Sequence, residues 1–220
     1  LLNRYQFSGY INDPTMYAWE WLQGNILPLL PVGIRVGPNG LRPVLDQLVY
    51  MDELQAVAQW HIGENLEFTQ ASAVIQTTGG DDIINDATLK YALSGYGGQL
   101  TSVARCRHIR EGQNDLQTDL AKISVNRYGI KQTVVDTNYV YDGITADLIC
   151  KTIVRANALP RFEVSVYANV QHGWVQIGDI IRVTATRLGL SNRHCMVVGK
   201  RWANTLWVYT LQYTVNPNLA

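Results

Sequence analysis

The sequence predicts an α+β protein that is mainly β. An antiparallel, closed or nearly closed β-barrel with one packed helix is expected over residues 80–217, beside a smaller mixed α/β domain over residues 1–79. Three observations predict it. After Gly79-Gly80 the apolar residues recur with period two in several short runs separated by turn residues. A single segment in that stretch has helical spacing instead. Before residue 79 the texture is mixed, with a helical start, a Pro/Gly-rich connection and short strand-like runs.

In the first region, Asp13 is placed to cap a helix with Pro14 at its first position, where the missing amide hydrogen costs nothing. Met16 and Trp19 give that helix a partial apolar face through Gln23 to Ile26 and Leu27, Gly24 weakens it, and Pro28 ends it. Gly37-Pro38-Asn39-Gly40 reads as a turn, because Pro fixes one φ and Asn and Gly tolerate positive φ. In the second region a strand is expected from Ile83 to Leu93, followed by reversal at Gly95-Tyr96-Gly97-Gly98 and a return strand from Leu100 to Ile109. Glu111 to Asp119 is polar and reads as a loop, and Ile123 with Val125 suggests another short strand. Ala146, Ile149, Cys150, Ile153 and Ala156 then fall at three- and four-residue spacing, predicting a helix over 142–157 with Asp142 as its cap and Pro160 as its stop. Strands follow around Phe162 to Tyr167, Ile180 to Thr184 (after a Gly178-Asp179 turn) and Cys195 to Trp202. The final run is the clearest: Trp207, Tyr209, Leu211, Tyr213 and Val215 share one face.

Composition bounds the function. Of 220 residues, 47% are hydrophobic and 16% charged, which suits a globular chain with a sizeable core. Eighteen basic residues balance eighteen acidic ones, so tight binding to DNA phosphates or an anionic membrane is not expected. The longest apolar run, Ile26 to Val36, is too short to span a bilayer and is broken by Pro28, Pro31 and Gly33. Leu1-Leu2-Asn3-Arg4 lacks the pattern of a secretion signal, and a start without Met points to a fragment or a longer chain. Cys106, Cys150 and Cys195 form no close pairing pattern and fit synthesis in a reducing cytosol.

No catalytic, cofactor-binding or metal-binding residue is assigned, and no cofactor is expected. Cys106, His108, His194 and Cys195 offer zinc-type side chains, but without the spacing that lets neighbours converge on one ion. Adjacent His194 and Cys195 in a strand point to opposite faces. There is no Gly-x-Ser-x-Gly elbow and no phosphate-loop ending after the glycines. The acids Asp81-Asp82, Asp52-Glu53, Glu64 and Glu67 read as solvated charges rather than a facing catalytic pair. Trp202, Trp207, Tyr209 and Tyr213 could stack a sugar or a base, yet their alternation with Leu211 and Val215 favours a packed strand face.

The order of elements carries a resemblance. Ile83-Ile84-Asn85-Asp86-Ala87-Thr88-Leu89-Lys90-Tyr91-Ala92 resembles the strand that opens a tube-type barrel in tail hub proteins of tailed phages. Ser124-Val125-Asn126-Arg127-Tyr128-Gly129 is similar to the stretch before their barrel helix. Leu159-Pro160 to Val164, Val175 to Thr184 and Met196 to Arg201 are similar to their closing strands, and Asn25 to Pro31 with Gly37 to Pro43 to their accessory domain. Such proteins usually carry two related barrels, and one is visible here. The resemblance implies a non-enzymatic structural protein of the virion tail tip, assembled in the host cytoplasm as a homotrimer. Its implied partners are other copies of itself, tail tube or distal tail proteins, and central spike or fibre proteins, around a pseudo-sixfold ring through which DNA passes. A receptor- or sugar-binding module of a tail fibre is the alternative, and a wall-opening enzyme the third reading.

Overall fold

A computed structural model describes residues 5–9, 15–37, 40–46, 48, 60–63, 68–95, 98–107 and 119–214. In chain order its elements are α1 (Ala18–Asn25), β1 (Val32–Gly37), β2 (Gly40–Leu45), β3 (Trp60–Gly63), β4 (Phe68–Ala71), β5 (Ile75–Gln76), β6 (Asp86–Leu93) and β7 (Leu100–Cys106). There follow α2 (Asp119–Tyr128), β8 (Gln132–Asp136), α3 (Gly143–Asn157), β9 (Arg161–Ala168), β10 (Ile180–Ala185), β11 (Leu190–Ala203) and β12 (Leu206–Thr214). The protein is α+β and mainly β, as expected from the alternation.

The chain forms two compact units, each built from two separate stretches of sequence. The first joins residues 1–31 to 80–158, the second residues 32–79 to 159–220. The physical reason is hydrogen bonding. Residues at the start are tied to the first unit: Ser8 donates its amide to the Tyr139 carbonyl, Gln6 to the Thr145 hydroxyl, and the hydroxyls of Tyr5 and Thr152 meet at 2.8 Å. In the second unit, β4 and β5 pair with β9, and β3 with β10.

In the first unit, three strands form a sheet in the order β7-β6-β8, with β6 antiparallel to β7 and parallel to β8. Helix α3 packs on β6 and β7. Ala146, Ile149, Cys150 and Val154 are sealed from solvent on its inner face, as are Ala87, Leu89 and Cys106 on the strands. The expected cap is present: Asp142 Oδ2 accepts a 2.8 Å bond from the Thr145 amide, and that bond lowers the Asp142 pKa. Two expectations are corrected here. Ile123 and Val125 lie in α2, not in a strand, because Leu120, Ala121 and Ser124 bury one helical face. The strand expected from Ile83 begins at Asp86, because Asn85 is spent on the 124–131 turn: its Nδ2 donates to the Gly129 carbonyl and the Ser124 hydroxyl, while its Oδ1 accepts from the Lys131 amide. Helix α1 begins at Ala18, after Tyr17 as its cap position. Asp13 and Pro14 lie outside the described residues, as do Pro38-Asn39, Tyr96-Gly97, residues 108–118 and Val215.

The second unit holds the hairpin β1-β2 and a seven-stranded sheet in the order β3-β10-β11-β12-β9-β4, with β5 also on β9. Its core follows the predicted alternation. Tyr209, Leu211 and Tyr213 of β12 meet Val164 and Val166 of β9, Ile181 and Val183 of β10, and Cys195 and Val197 of β11. The sheet cannot be flat. Four residues separate β3 from β4, a reach of at most ~18 Å between their ends. Yet the two strands bond to opposite ends of the β10-β11-β12-β9 ladder, ~24 Å apart in a flat sheet of 4.8 Å spacing. β3 runs parallel to β10 and β4 antiparallel to β9, so both point the same way. β3 and β4 thus lie at the two edges of a curled sheet. The expected single antiparallel sheet over 80–217 is corrected accordingly. Its strands divide between two sheets, each of which includes a parallel pair, and the helix expected outside a barrel covers the three-stranded sheet instead.

Candidate functional site

The three cysteines serve two different cores. Cys106 and Cys150 are fully buried where α3 meets β7, and the Cys150 thiol donates to the Ala104 carbonyl at 3.5 Å. Cys195 is fully buried among Ile181, Val197 and Tyr213. His194 stands on the opposite face of β11, half-buried, and His108 lies outside the described residues. Among the described residues, no three of His, Cys, Asp and Glu come together as a metal site.

Burial sets the protonation of these thiols. It pushes Cys106 from the ordinary 9.0 to about 11, Cys150 to about 12 and Cys195 to about 12. A thiol this hard to ionise is a poor nucleophile and a poor metal ligand. The shifts also make stability pH-dependent. Each thiol ionises more readily unfolded than folded, so its contribution is intact below pH 9 and lost as pH rises through 11 and 12. The thermal midpoint is therefore expected to fall between pH 9 and 12, more steeply than in a Cys106→Ala/Cys150→Ala variant. Parallel curves for the two proteins would show that these thiols are not sealed.

Of the acids, Asp81 and Asp82 sit in a short 3₁₀ turn at the mouth of a cleft of about 420 Å³, with Lys131, Gln132, Thr133 and Asn157 also on its wall. The Asp81 carboxylate is fully exposed and lies 3.6 Å from the Lys131 ammonium, a solvated surface pair. Asp52, Glu53, Glu64 and Glu67 lie outside the described residues.

The most distinctive surface is the aromatic end of the seven-stranded sheet. β11 and β12 pair Trp202 with Trp207 beside the tight turn at Asn204-Thr205, both at positive φ. The two indoles meet edge to face, with centroids 4.8 Å apart and planes at 72°. The Lys200 ammonium lies 4.4 Å from the Trp207 centroid and donates to the carbonyls of Gly173, at 2.5 Å, and Val175, at 2.7 Å. Gly173 has no room for a side chain, since a Cβ there would stand 2.7 Å from Trp207 Nε1. Below this layer the Tyr209 hydroxyl donates to the His172 carbonyl at 2.5 Å, and burial raises its pKa to about 12. Trp174 and Trp202 remain 43% and 51% exposed. The sequence marked Trp202 and Trp207 but missed Lys200 and Gly173, which reach the cluster only through tertiary contact.

Chemically the arrangement is a rigid apolar surface rather than a reactive one. A sugar platform needs open, nearly coplanar rings. Here the planes are crossed, and a cation already lies near the Trp207 ring. Trp207, Tyr209 and Tyr213 go into the core or its edge, as the packing reading expects.

No protein-family model matches the sequence, and no curated protein matches it. Solved structures align with it. The chain is similar to a tail protein from Neisseria meningitidis MC58, with a TM-score of 0.52 at 11% identity, over 97% of this chain and 59% of that one. It also aligns with a prophage tail protein from Listeria monocytogenes EGD-e (TM-score 0.42, 13% identity, 84% of this chain, 49% of that). A chain of the virion of a native gene transfer agent particle aligns as well (TM-score 0.47, 10% identity, 74% of this chain, 33% of that). The chain spans less than two thirds of each of these proteins.

Proposed function

We propose that this chain is a structural component of a phage tail, with no enzymatic activity, and that it belongs to the hub at the tail tip or baseplate. The observation that carries the reading is the likeness in fold to the Neisseria tail protein over nearly the whole chain. Supporting it, the ladder of the second unit starts at one part of segment 60–71, runs through β10, β11, β12 and β9, and returns to another part of the same segment. In this reading that sheet is a tube-type barrel, and three copies around one axis form a ring that joins the tail tube to the spike or fibres and lets DNA pass. Near-neutral charge suits a passage that must not hold DNA. Exposed apolar side chains such as Trp174, Val170, Ile144 and Trp202 suit burial between subunits of a virion.

The test is a copy number. Native mass spectrometry of the full-length protein, and cryo-electron microscopy of assembled tails, should give three copies about the axis at the tip. Six or twelve copies per ring would make it a tube or adaptor subunit. Turnover of peptidoglycan by the purified chain, abolished by a single Asp or Glu substitution, would refute the non-enzymatic reading.

A further inference from the structure

We propose that residues 169–176 are a lid on the aromatic end of the seven-stranded sheet, latched by Lys200, and that the lid opens as a unit while the sheet stays folded. The inference does not depend on the tail reading. The segment follows β9 and holds its own shape. Asn169 is extended, at φ −64° and ψ 158°, and Val170–His172 make one 3₁₀ turn that Gly173 ends. The amides of His172, Gly173 and Val175 donate to the carbonyls of Asn169, Val170 and His172, at 3.0, 3.0 and 3.1 Å. All three bonds begin and end inside the segment, so it can move without breaking them.

Its ties to the strands beneath are of another kind. Three of its carbonyls accept from side chains. The Tyr209 hydroxyl of β12 bonds the His172 carbonyl at 2.5 Å, and the Lys200 ammonium of β11 bonds those of Gly173 and Val175 at 2.5 and 2.7 Å. Lys200 thus holds two of the three, from a place 4.4 Å from the Trp207 ring centroid and 5.9 Å from that of Tyr209. A side-chain tether is released by rotation about its χ angles. Its release leaves the pairing of β11 with β12, and of β12 with β9, as it was. The core does not depend on the lid either: in its buried cluster every residue but Val175 belongs to β9, β10, β11 or β12.

Closure is also imperfectly satisfied. His172 is buried, and its Nδ1 is sealed from solvent with no hydrogen-bond partner among the described residues. That atom regains water when the lid lifts, which favours opening. So does the backbone freedom of the released residues. Val170 and Trp174 face outward, 61% and 43% exposed, and have little burial to lose. Against opening stand the charge-assisted bonds of Lys200, which therefore set the equilibrium. Segments with few buried side chains open locally, well before the whole domain unfolds. Opening here lays bare the Trp207 indole and the Tyr209 ring.

Amide hydrogen exchange of the full ¹⁵N-labelled chain, read by NMR where rates report the opening equilibrium, is the test. Corrected for intrinsic rates, the amides of His172, Gly173 and Val175 should exchange at least tenfold faster than the slowest amides of β9 and β12. Lys200→Met, which keeps the length of the side chain and removes its charge, should speed those three at least another tenfold. Val164→Ala, a core change farther down β9, should speed the slowest sheet amides at least fivefold and leave the lid amides within twofold. Should the Met variant be unfolded, Tyr209→Phe, which deletes one lid bond and keeps the ring, decides by a rise of at least threefold. Lid amides within tenfold of the sheet's, or a folded latch variant that falls short of its rise, overturns the proposal. So does a lid that follows Val164→Ala by more than twofold, since the segment would then open only when the whole sheet unfolds.

Discussion

Ile149→Asp is expected to unfold the first unit. Ile149 has no exposed surface, and α3 presents it to the sheet of β6 and β7. Removing the isoleucine forfeits ~2–3 kcal/mol of burial. The carboxylate must then be protonated or carried unsolvated, which costs several kcal/mol more. The total is comparable to the whole stability of a typical domain, about 5–15 kcal/mol. The cooperative melt of this unit should therefore be lost, or its midpoint should drop by well over 10 °C. Ile149→Val, which keeps the shape and removes one methylene, should cost only ~1 kcal/mol. If the Asp variant melted like the parent, α3 would not be docked through this residue.

That helix was legible in the sequence because its signals were local. Asp142, the apolar positions 146, 149, 150 and 153, and Pro160 all lie within one short stretch; the structure caps the helix with Asp142 and buries 146, 149 and 150, with Val154 rather than Ile153 completing the inner face. The β12 face was legible for the same reason: Tyr209, Leu211 and Tyr213 alternate without interruption, and all three are in the core. What could not be read was partnership. Nothing near β6 announces that a parallel neighbour, β8, comes from residues 132–136, or that segment 60–76 would join strands a hundred residues away. Ile123 and Val125 misled for a related reason. Two alternating residues fit period two as well as the flank of a helix, and only the burial of Leu120, Ala121 and Ser124 decides between them. The candidate site divides likewise. The sequence named the indoles, but the crossing of their planes and the cation near Trp207 belong to the fold.

Gly178→Ala should be the most damaging single-methyl change in the second unit, and its cost should split into two separable parts. Gln176 to Asp179 form a turn closed by the Asp179 amide on the Gln176 carbonyl at 3.2 Å, and Gly178 occupies its third position at φ +96°. That geometry is the one in which a type II turn calls for glycine. A Cβ there costs roughly 1–2 kcal/mol through the backbone alone. It would also be driven into the Val44 side chain of β2, a β-branched group with little freedom to turn aside, which adds an overpacking cost of ~1–3 kcal/mol. The turn cannot drift away from the strain, because the Gly178 amide donates to the Val197 carbonyl at 2.7 Å and the Val197 amide returns a bond to the Asp179 carbonyl at 2.9 Å. Urea unfolding of Gly178→Ala should thus show a loss of ~2–5 kcal/mol. Combining it with Val44→Ala relieves the overlap but not the φ strain, so the double variant should be more stable than the sum of the two single losses predicts. Strict additivity would mean that Val44 does not stand over the turn, and a Gly178→Ala loss under ~0.5 kcal/mol would remove the turn itself from the account.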